Sequence, residues 1–328
     1  MRVLVTGASG FVGSALAADL ADRGHAVLAA ARGPLPTRLA GRVTPAALPD
    51  LASGQVLDEA FAQLLDGIDA VVHAAGLAHQ AAGTDEAAMQ AVNADAAARL
   101  ARAACRQGIG RFVLISSIRA VSGPSAAETL AETAEASPTD AYGRSKRAAE
   151  QAVQAAQPAA TVLRPPIIHG AGAKGNMARL ARFARLPMPL PFGGLAGRRS
   201  IVSDANLASA VAFILDHPET QGRVFHLGDG EPLTLPEMAA SMRQAMGRAP
   251  GIVALPFALA QRMIARLAPG MADQVLGDLV VDDGALRARG WQPVEPSGPG
   301  LGRLMRAAGA QSPIQKFMFF GSVLRCIV

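Results

Sequence analysis

The stretch that decides the fold is Val3-Leu4-Val5-Thr6-Gly7-Ala8-Ser9-Gly10-Phe11-Val12-Gly13, near the start of the chain. Its first four residues have the composition of a buried strand, and an Ala-rich run typical of a helix follows to about Arg23. A dinucleotide pyrophosphate needs a tight turn, a close backbone approach and the positive end of a helix. Glycine meets the first two needs because it has no Cβ. The three glycines between strand and helix therefore predict a dinucleotide-binding turn at Gly7–Gly13.

The alternation of apolar strands with Ala-rich helices continues through the first half of the chain. Such an alternation builds right-handed βαβ units around a parallel sheet. The predicted class is therefore α/β, a Rossmann-type doubly wound parallel sheet with a smaller C-terminal substrate-binding domain. The predicted strands are Val3–Thr6, His25–Ala31, Ala70–His73, Arg111–Ser116 and Thr161–Arg164, and the predicted helices are Gly13–Arg23, Glu86–Gln107 and Tyr142–Ala156.

The composition changes after Pro165-Pro166, where Gly and Pro become frequent and indicate irregular, ligand-facing loops. We therefore predict a dinucleotide-binding domain over residues 1–165 and a mainly substrate-binding domain over residues 166–310. Residues 200–228 are expected to return to the first domain through a last strand near Val224. Residues 311–328 form an apolar tail to which the sequence assigns no role.

The bulk composition limits the class of protein. The chain has 328 residues and a net charge of +5, which suits an anionic ligand or reflects scattered surface arginines. Its basic residues are dispersed and not interleaved with aromatic residues, so nucleic acid is not an expected partner. It lacks the run of about 18 apolar residues that an integral membrane segment requires. Cys105 and Cys326 have no metal-ligand spacing, so we expect no metal and a cytoplasmic location.

The end of the second predicted strand bears on the choice of cofactor. An acid is expected there when the ribose 2′-hydroxyl of NAD is held, but the sequence has Ala31 followed by Arg32, with Arg38 nearby. A guanidinium suits the 2′-phosphate of NADP. We therefore predict NADP(H), with NAD(H) as the alternative if Arg32 is solvated.

A second motif, Tyr142-Gly143-Arg144-Ser145-Lys146, places a phenol and an ammonium four residues apart. On a helix such residues share a face, so both can reach one ligand. Free tyrosine, with a pKa of about 10, is a poor base at neutral pH, but nearby positive charge favours its phenolate. We predict that Lys146 lowers the pKa of Tyr142, which then moves a proton to or from a hydroxyl while hydride moves at the same carbon.

The Gly-x-x-Gly-x-x-Gly turn and the Tyr-x-x-x-Lys motif together resemble the extended short-chain dehydrogenases/reductases, the NAD-dependent epimerase/dehydratase family, over roughly residues 1–300. The resemblance implies that Ser117 hydrogen-bonds the substrate oxygen and that Asn93 is a structural and proton-relay residue. It also implies a homodimer formed through helices that include Tyr142–Ala156. The implied cofactor contacts are Gly7, Ser9, Gly10, Phe11, Val12, Gly13, Arg32, Asp50, Leu51, Ala74, Ala75, Gly76, Asn93, Tyr142, Lys146 and Pro165.

The second half resembles sugar-nucleotide enzymes of this family. Lys174-Gly175-Asn176 opens a helical run where a helix N-terminus and the Asn176 amide could meet a diphosphate. The arginine that clamps the diphosphate in these enzymes corresponds to Arg199. A nucleotide-linked sugar is therefore the implied substrate, bound by Ser117, Asn176 and Arg199.

The Ser-Ser-Ile strand end and the Arg-Pro-Pro…Lys-Gly-Asn segment resemble 4-ketosugar reductases and 4-epimerases of UDP-N-acetylhexosamines used for surface polysaccharide. Family dehydratases carry an acidic pair where this chain has Ile118-Arg119, so dehydration is not expected. The leading hypothesis is NADP(H)-dependent reduction, or reverse oxidation, at sugar C4. The alternatives are a UDP-hexose 4-epimerase that retains NAD and a non-catalytic NADP-binding assembly protein, although such proteins typically lose the Tyr or the Lys.

Overall fold

A seven-stranded parallel sheet forms the centre of the first half. The structure is a computed structural model that describes residues 1–53, 56–77, 85–254 and 272–310, with positions 256, 258, 261, 262 and 266 between the last two ranges. The strand order is β10-β6-β5-β4-β1-β2-β3, so the predicted Rossmann-type class is confirmed. The strands are β1 Arg2–Thr6, β2 Ala26–Ala31, β3 Thr44–Ala47, β4 Ala70–His73, β5 Arg111–Ile115, β6 Thr161–Arg164 and β10 Val224–His226.

Helices cover both faces of this sheet. The side chains of β1, which point alternately to the two faces, show which helices pack on each face. Val3 and Val5 pack in one apolar cluster with α1 and α7, whereas Leu4 packs in the opposite cluster with α2, α4 and α5. Successive side chains of a strand point to opposite faces, so a strand covered on both faces is apolar throughout. These helices are α1 Phe11–Asp22, α2 Val56–Leu64, α4 Ala96–Arg106, α5 Ala141–Ala156 and α7 Asp204–Asp216.

The structure differs from the predicted helix Glu86–Gln107 and adds an edge strand that was not among the predicted strands. The long helix is divided into α3 Glu86–Gln90, a π-helical turn Ala91–Asp95, and α4. The strand β3 forms despite Pro45, because it pairs only with β2 at the edge of the sheet, where a missing N–H donor is tolerated.

The second half adds a smaller apolar cluster beside the carboxyl edge of the sheet. The strands β7 Ile167–His169 and β9 Ile201–Ser203 pair in parallel, and β8 Arg198–Arg199 pairs with β11 Leu233–Thr234. Phe11, at the start of α1, packs against this cluster, which therefore lies over the glycine turn. Besides α7, the described residues of this half form the helices α6 Gly175–Ala184, α8 Leu235–Gln244 and the segments Ala272–Leu276, Gly284–Arg287 and Ser297–Ala310.

A search of the described ranges for a helix both long enough and apolar enough to cross a bilayer finds none. The predicted tail, residues 311–328, lies outside the described residues.

Candidate active site

The glycine turn is packed so closely that larger residues do not fit. Gly7 has φ +74°, and a Cβ on it would lie 2.8 Å from both the Cα and the backbone N of Ala75. A Cβ on Gly13 would approach the carbonyl oxygen of Gly7 closer than 3.0 Å. Helix α1 then begins at Phe11, with Gly10 as an N-cap that has no side-chain hydrogen bond. The turn therefore leaves a backbone cradle at a helix N-terminus that fits a dinucleotide pyrophosphate.

The turn that follows β4 lies beside the glycine turn. The backbone N–H of Ala75 donates to Thr6 Oγ1 at 3.3 Å, which holds the turn of Ala74, Ala75 and Gly76 beside Gly7. Asp50 is exposed and Leu51 is buried after the edge strand β3. Their place at the carboxyl edge is compatible with a cofactor contact, which stays a prediction for both residues.

Two arginines follow β2. Arg32 comes directly after the strand and is exposed, so its guanidinium is accessible to a ligand at this edge. Arg38 instead lies across the start of α1, where it donates to the Phe11 carbonyl at 2.9 Å and to the Ser14 hydroxyl. Burial lowers the pKa of Arg38, and the charge of Asp204 opposes that shift. The structure therefore gives Arg38 intramolecular partners and leaves Arg32 facing solvent.

The structure brings Tyr142 and Ser117 together. The Ser117 side chain lies close enough to the Tyr142 phenol to lower its pKa, although 25 residues separate the two in the sequence. Ser117 begins the 3₁₀ turn Ile118–Ala120, and its Oγ accepts the backbone N–H of Arg119 at 3.2 Å. Pro165 lies beside this turn, since its carbonyl accepts the Ile118 N–H at 3.0 Å. The proposed proton-transfer pair is thus preformed at the carboxyl edge of the sheet.

The pKa of Tyr142 is set by four influences. Burial, the largest, raises it above its usual value; the Ser117 hydrogen bond lowers it, Asp140 raises it, and Arg119 lowers it. The sequence predicted that Lys146 would be the cation that lowers this pKa. In this structure that cation is Arg119, because the Lys146 ammonium turns toward the sheet.

Lys146 lies one turn beyond Tyr142 on the same face of α5. Its Nζ donates to the Ile115 carbonyl at 3.0 Å, and a Cβ on Gly76 would lie 3.5 Å from that Nζ. Burial lowers the pKa of Lys146 to about 8, and the nearby Glu150 opposes this shift. The ammonium is therefore held against the turn that is expected to run past the cofactor ribose.

The buried Lys146 should cost stability near neutral pH. Its pKa is about 8 in the folded chain against 10.5 for the ordinary side chain, so between these values the folded chain binds fewer protons than the unfolded chain. The penalty is full below pH 8 and is relieved as pH rises toward 10.5. We expect Lys146→Met to unfold a few degrees higher than wild type at about pH 7, with a smaller difference at about pH 10. Thermal unfolding at both pH values measures this, and a variant less stable than wild type at neutral pH would contradict it.

Asn93 joins the Gly76 turn to the catalytic helix. Its Oδ1 accepts the Leu77 N–H at 2.7 Å, and its Nδ2 donates to the Leu77 carbonyl at 3.1 Å and to Ser145 Oγ at 2.9 Å. Asn93 lies in the π-helical turn, a local irregularity that often occurs at functional sites. These contacts give Asn93 a structural position between α4 and α5, and its proton-relay role stays a prediction.

The sequence reasoning missed a buried ion pair behind the catalytic helix. Glu150 accepts Arg164 Nε at 2.9 Å and Nη2 at 2.7 Å, and it also accepts the Ser116 hydroxyl at 2.6 Å. Glu150 and Arg164 are both less than 5% exposed. The sequence did contain an indication of Glu150. It follows Lys146 at the same four-residue spacing that separates Lys146 from Tyr142, which places all three on one face of the helix. The network fixes α5 to the ends of β5 and β6.

Asn176 and Arg199 converge on the short helix Ala272–Leu276. Asn176 is exposed and donates to Gln274 Oε1 at 3.0 Å. The Arg199 guanidinium donates to the carbonyls of Pro124 at 3.0 Å, Asp273 at 2.9 Å and Gly277 at 3.0 Å. Burial, and then the charge of Arg119, lower the pKa of Arg199 to about 10.

These contacts describe the environment of Arg199. A buried guanidinium needs acceptors, and backbone carbonyls supply them here, while its contact with a diphosphate stays a prediction. Arg199 therefore fixes the loop at Pro124 to the helix Ala272–Leu276.

That loop and that helix border a cavity of about 540 Å³. The Arg199 contacts with Pro124 and Asp273 lie in its wall, and hydroxyl groups are frequent along it. Hydroxyl and carboxylate groups suit a sugar more than a phosphate. The lining residues are Val121, Ser122, Gly123, Pro124, Ser125, Ala126, Leu130, Glu135, Ser137, Thr139 and Asp273.

Comparisons with known proteins agree with this geometry. The sequence profile of the NAD dependent epimerase/dehydratase family matches residues 3–228. A UDP-glucose 4-epimerase of Vibrio cholerae is 29% identical over 305 residues, covering 89% of this chain and 90% of that protein. A 2-alkyl-3-oxoalkanoate reductase of Stenotrophomonas maltophilia is 33% identical over 295 residues, covering 80% of this chain and 81% of that protein. The Bordetella bronchiseptica enzyme WbmG, solved with NAD and UDP, superposes with a TM-score of 0.74 at 20% identity, covering 94% of each chain.

Proposed function

The chain belongs to the NAD dependent epimerase/dehydratase family, and we propose on this premise that it moves hydride at C4 of a nucleotide-linked sugar as a UDP-hexose 4-epimerase. The observation that carries the proposal is the joining of the Ser117 turn to the start of α5 by the Arg119–Asp140 ion pair, with Tyr142 in the first turn of α5 and Lys146 one turn further along the same helix face. An NAD(P)-dependent epimerase or oxidoreductase requires this arrangement of groups beside its dinucleotide turn.

The side chains have distinct roles in the proposed reaction. Ser117 orients the C4 oxygen, and Tyr142 takes its proton during oxidation and returns it during reduction. Burial raises the pKa of Tyr142, which favours the neutral phenol that gives a proton to a ketone oxygen. Lys146 holds the ribose beside Gly76. A bound nicotinamide dinucleotide supplies the chemistry of accepting and returning hydride.

A relative of nearly the same length that is named as an epimerase supports epimerisation. The Vibrio cholerae epimerase matches this chain over about nine-tenths of both lengths, and the WbmG structure holds NAD and UDP. Because the Ser-Ser-Ile strand end and the Lys174-Gly175-Asn176 segment resemble enzymes of UDP-N-acetylhexosamines, we propose such a sugar, used in surface polysaccharide. We also propose that Asn176 and Arg199 border its binding cleft.

The test is a set of incubations with UDP-, GDP- and dTDP-sugars and their 4-keto forms, with NADH or NADPH added or omitted. The proposal expects a C4-inverted UDP-hexose without added cofactor, because an epimerase retains its dinucleotide. A product formed only from a 4-keto sugar and reduced cofactor would replace the epimerase with a reductase.

The second candidate, an NADP(H)-dependent 4-ketosugar reductase, rests on Arg32. Its exposed guanidinium directly follows Ala31, the position at which an acid would hold the 2′-hydroxyl of NAD. A charge-assisted contact of this kind contributes about 1.5–3 kcal/mol, which corresponds to about tenfold to a hundredfold in affinity.

Arg32→Asp is accordingly expected to shift the NADPH-to-NADH affinity ratio toward NADH by about tenfold or more. Titration of each cofactor measures the ratio. Arg106→Asp, an equal change of charge at another exposed position, is the control. An unchanged ratio in Arg32→Asp would remove Arg32 from the cofactor site and weaken the reductase candidate.

The homodimer through helices including α5 is also proposed. Light scattering should then give twice the chain mass of 33.6 kDa.

A further inference from the structure

Arg199 is buried between two chain segments that border the same cavity. It ends β8 and is only 8% exposed. Its Nη1 donates to the Pro124 carbonyl at 3.0 Å, whereas its Nη2 donates to the carbonyls of Asp273 at 2.9 Å and Gly277 at 3.0 Å. Pro124 and Asp273 both line the cavity of about 540 Å³, so one guanidinium joins two parts of its lining. We call these parts the cavity loop and the cavity segment, residues 121–126 and 273–277.

The cavity loop and the cavity segment also contact each other directly. A Cβ on Gly277 would lie 2.6 Å from the Ser125 Cβ, so only glycine allows this approach. Next to this contact, the backbone N–H of Ala126 donates to the Asp278 carbonyl at 2.8 Å. Arg199 bonds to the carbonyls of Gly277 itself and of the residue before Ser125. The guanidinium and the glycine together therefore set the distance between the cavity loop and the cavity segment.

The cavity lies beside the segments that carry the reacting side chains. The cavity loop begins directly after the 3₁₀ turn that starts at Ser117, and its first residue, Val121, lines the cavity. Thr139, another lining residue, directly precedes the N-cap of α5, the helix that carries Tyr142. A misplacement of about 1 Å in such a site can lower a rate by about a hundredfold. The distance between the cavity loop and the cavity segment therefore matters for a reacting sugar.

The chemistry of arginine suits this position. A planar guanidinium presents five N–H donors in a fixed fork, so it can bond to carbonyls of two segments at once. A lysine ammonium is a single nitrogen on a flexible stem and would hold the same segments less rigidly. Since the Arg199 guanidinium bonds to three backbone carbonyls, it acts on the cavity through the chain segments that border it.

We infer that Arg199 is a positioning residue for the sugar: its guanidinium fixes the cavity loop against the cavity segment and so holds the sugar ring beside the Ser117 turn. The inference rests on the proposed function, because it takes the cavity as the site of the sugar in a nucleotide-linked substrate. A positioning role affects only ligands that carry the sugar, whereas a diphosphate contact affects every ligand that carries the diphosphate.

The test compares UDP with UDP-N-acetylglucosamine in calorimetric titrations of the dinucleotide-loaded protein. We expect Arg199→Lys to weaken binding of UDP-N-acetylglucosamine by about tenfold, the equivalent of one charge-assisted hydrogen bond, and to leave the affinity for UDP within about twofold of wild type. Arg198→Lys is the control, because this exposed neighbour donates to the carbonyl of Pro232, which does not line the cavity. An equal loss for both ligands in Arg199→Lys would assign Arg199 to the diphosphate and overturn the inference, as would no loss for either.

Gly277→Ala forces the cavity loop and the cavity segment apart while the guanidinium keeps its charge. The added methyl group would meet Ser125, so we expect the same selective loss of affinity for UDP-N-acetylglucosamine. A diphosphate contact of Arg199 does not predict that loss. Gly110→Ala, where an added Cβ meets nothing within 4 Å, is the control. Wild-type affinity for both ligands in Gly277→Ala would contradict the inference.

Hydrogen exchange measures the same junction with no ligand present. We expect the Ala126 amide to exchange about tenfold faster in Arg199→Lys than in wild type, because its acceptor, the Asp278 carbonyl, adjoins the contacts that the substitution weakens. The Ser116 amide, which donates to the Leu163 carbonyl, should exchange at the wild-type rate. An unchanged Ala126 rate would overturn the inference whether or not a nucleotide sugar binds. A faster rate in a chain that inverts no nucleotide sugar would instead mark a failure of the proposed function alone.

Discussion

Replacing Tyr142 with phenylalanine is expected to lower kcat by about 10²–10⁴-fold, the range for a removed general acid–base. The substitution deletes only the hydroxyl whose pKa Ser117 lowers, and the ring keeps its half-buried place at the start of α5. Lys146, one turn further along the helix, cannot replace Tyr142 as the proton-transfer group, because its ammonium faces the Ile115 carbonyl.

Two measurements separate lost chemistry from lost structure in Tyr142→Phe. Dinucleotide affinity should change by only a few-fold, and the thermal midpoint should stay close to that of wild type. Undiminished turnover would remove Tyr142 from the reaction and would leave a non-catalytic NADP-binding role as the better explanation of the fold.

The second large effect is expected from Gly13→Ala. The added methyl group would meet the Gly7 carbonyl closer than 3.0 Å, and this oxygen belongs to the turn itself, so it cannot yield without opening the turn. Overpacking of this kind lowers the free energy of unfolding by about 1–3 kcal/mol. Because the same backbone forms the pyrophosphate cradle, we expect dinucleotide affinity to fall by about a hundredfold.

The matched control for Gly13→Ala is Gly110→Ala, where an added Cβ meets nothing within 4 Å. Calorimetric titration with NAD(H) and NADP(H), together with thermal unfolding, measures both variants. Binding of wild-type strength in Gly13→Ala would show that the turn does not hold the dinucleotide.

Much of the fold could be predicted because local pattern and tertiary structure agree there. The strands Ala70–His73 and Thr161–Arg164 were predicted at their observed bounds, since short apolar runs between Ala-rich helices leave little ambiguity. The π-helical turn at Asn93 could not be predicted. It depends on hydrogen bonds from Asn93 to Leu77 and Ser145, which are distant in sequence.

The residues of the candidate site also form two groups: those that local motifs predict, and those that only the tertiary structure brings together. The glycine turn and the Tyr142–Lys146 spacing are local motifs, so the sequence alone indicates them. The Arg119–Asp140 pair spans 21 residues and joins two loops, and no spacing rule connects them. The contacts of Arg199 with three backbone carbonyls could not be predicted either, because they come from segments that are distant in the sequence, and its diphosphate contact stays a prediction.

The most direct test of hydride transfer at C4 is incubation with UDP-N-acetylglucosamine and UDP-glucose that carry deuterium at C4, followed by NMR of the recovered sugars. The account predicts a C4-inverted sugar that keeps its deuterium at C4, because hydride leaves and returns to the same carbon. Recovery of both sugars with configuration and label unchanged, from a protein shown to contain its dinucleotide, would contradict it.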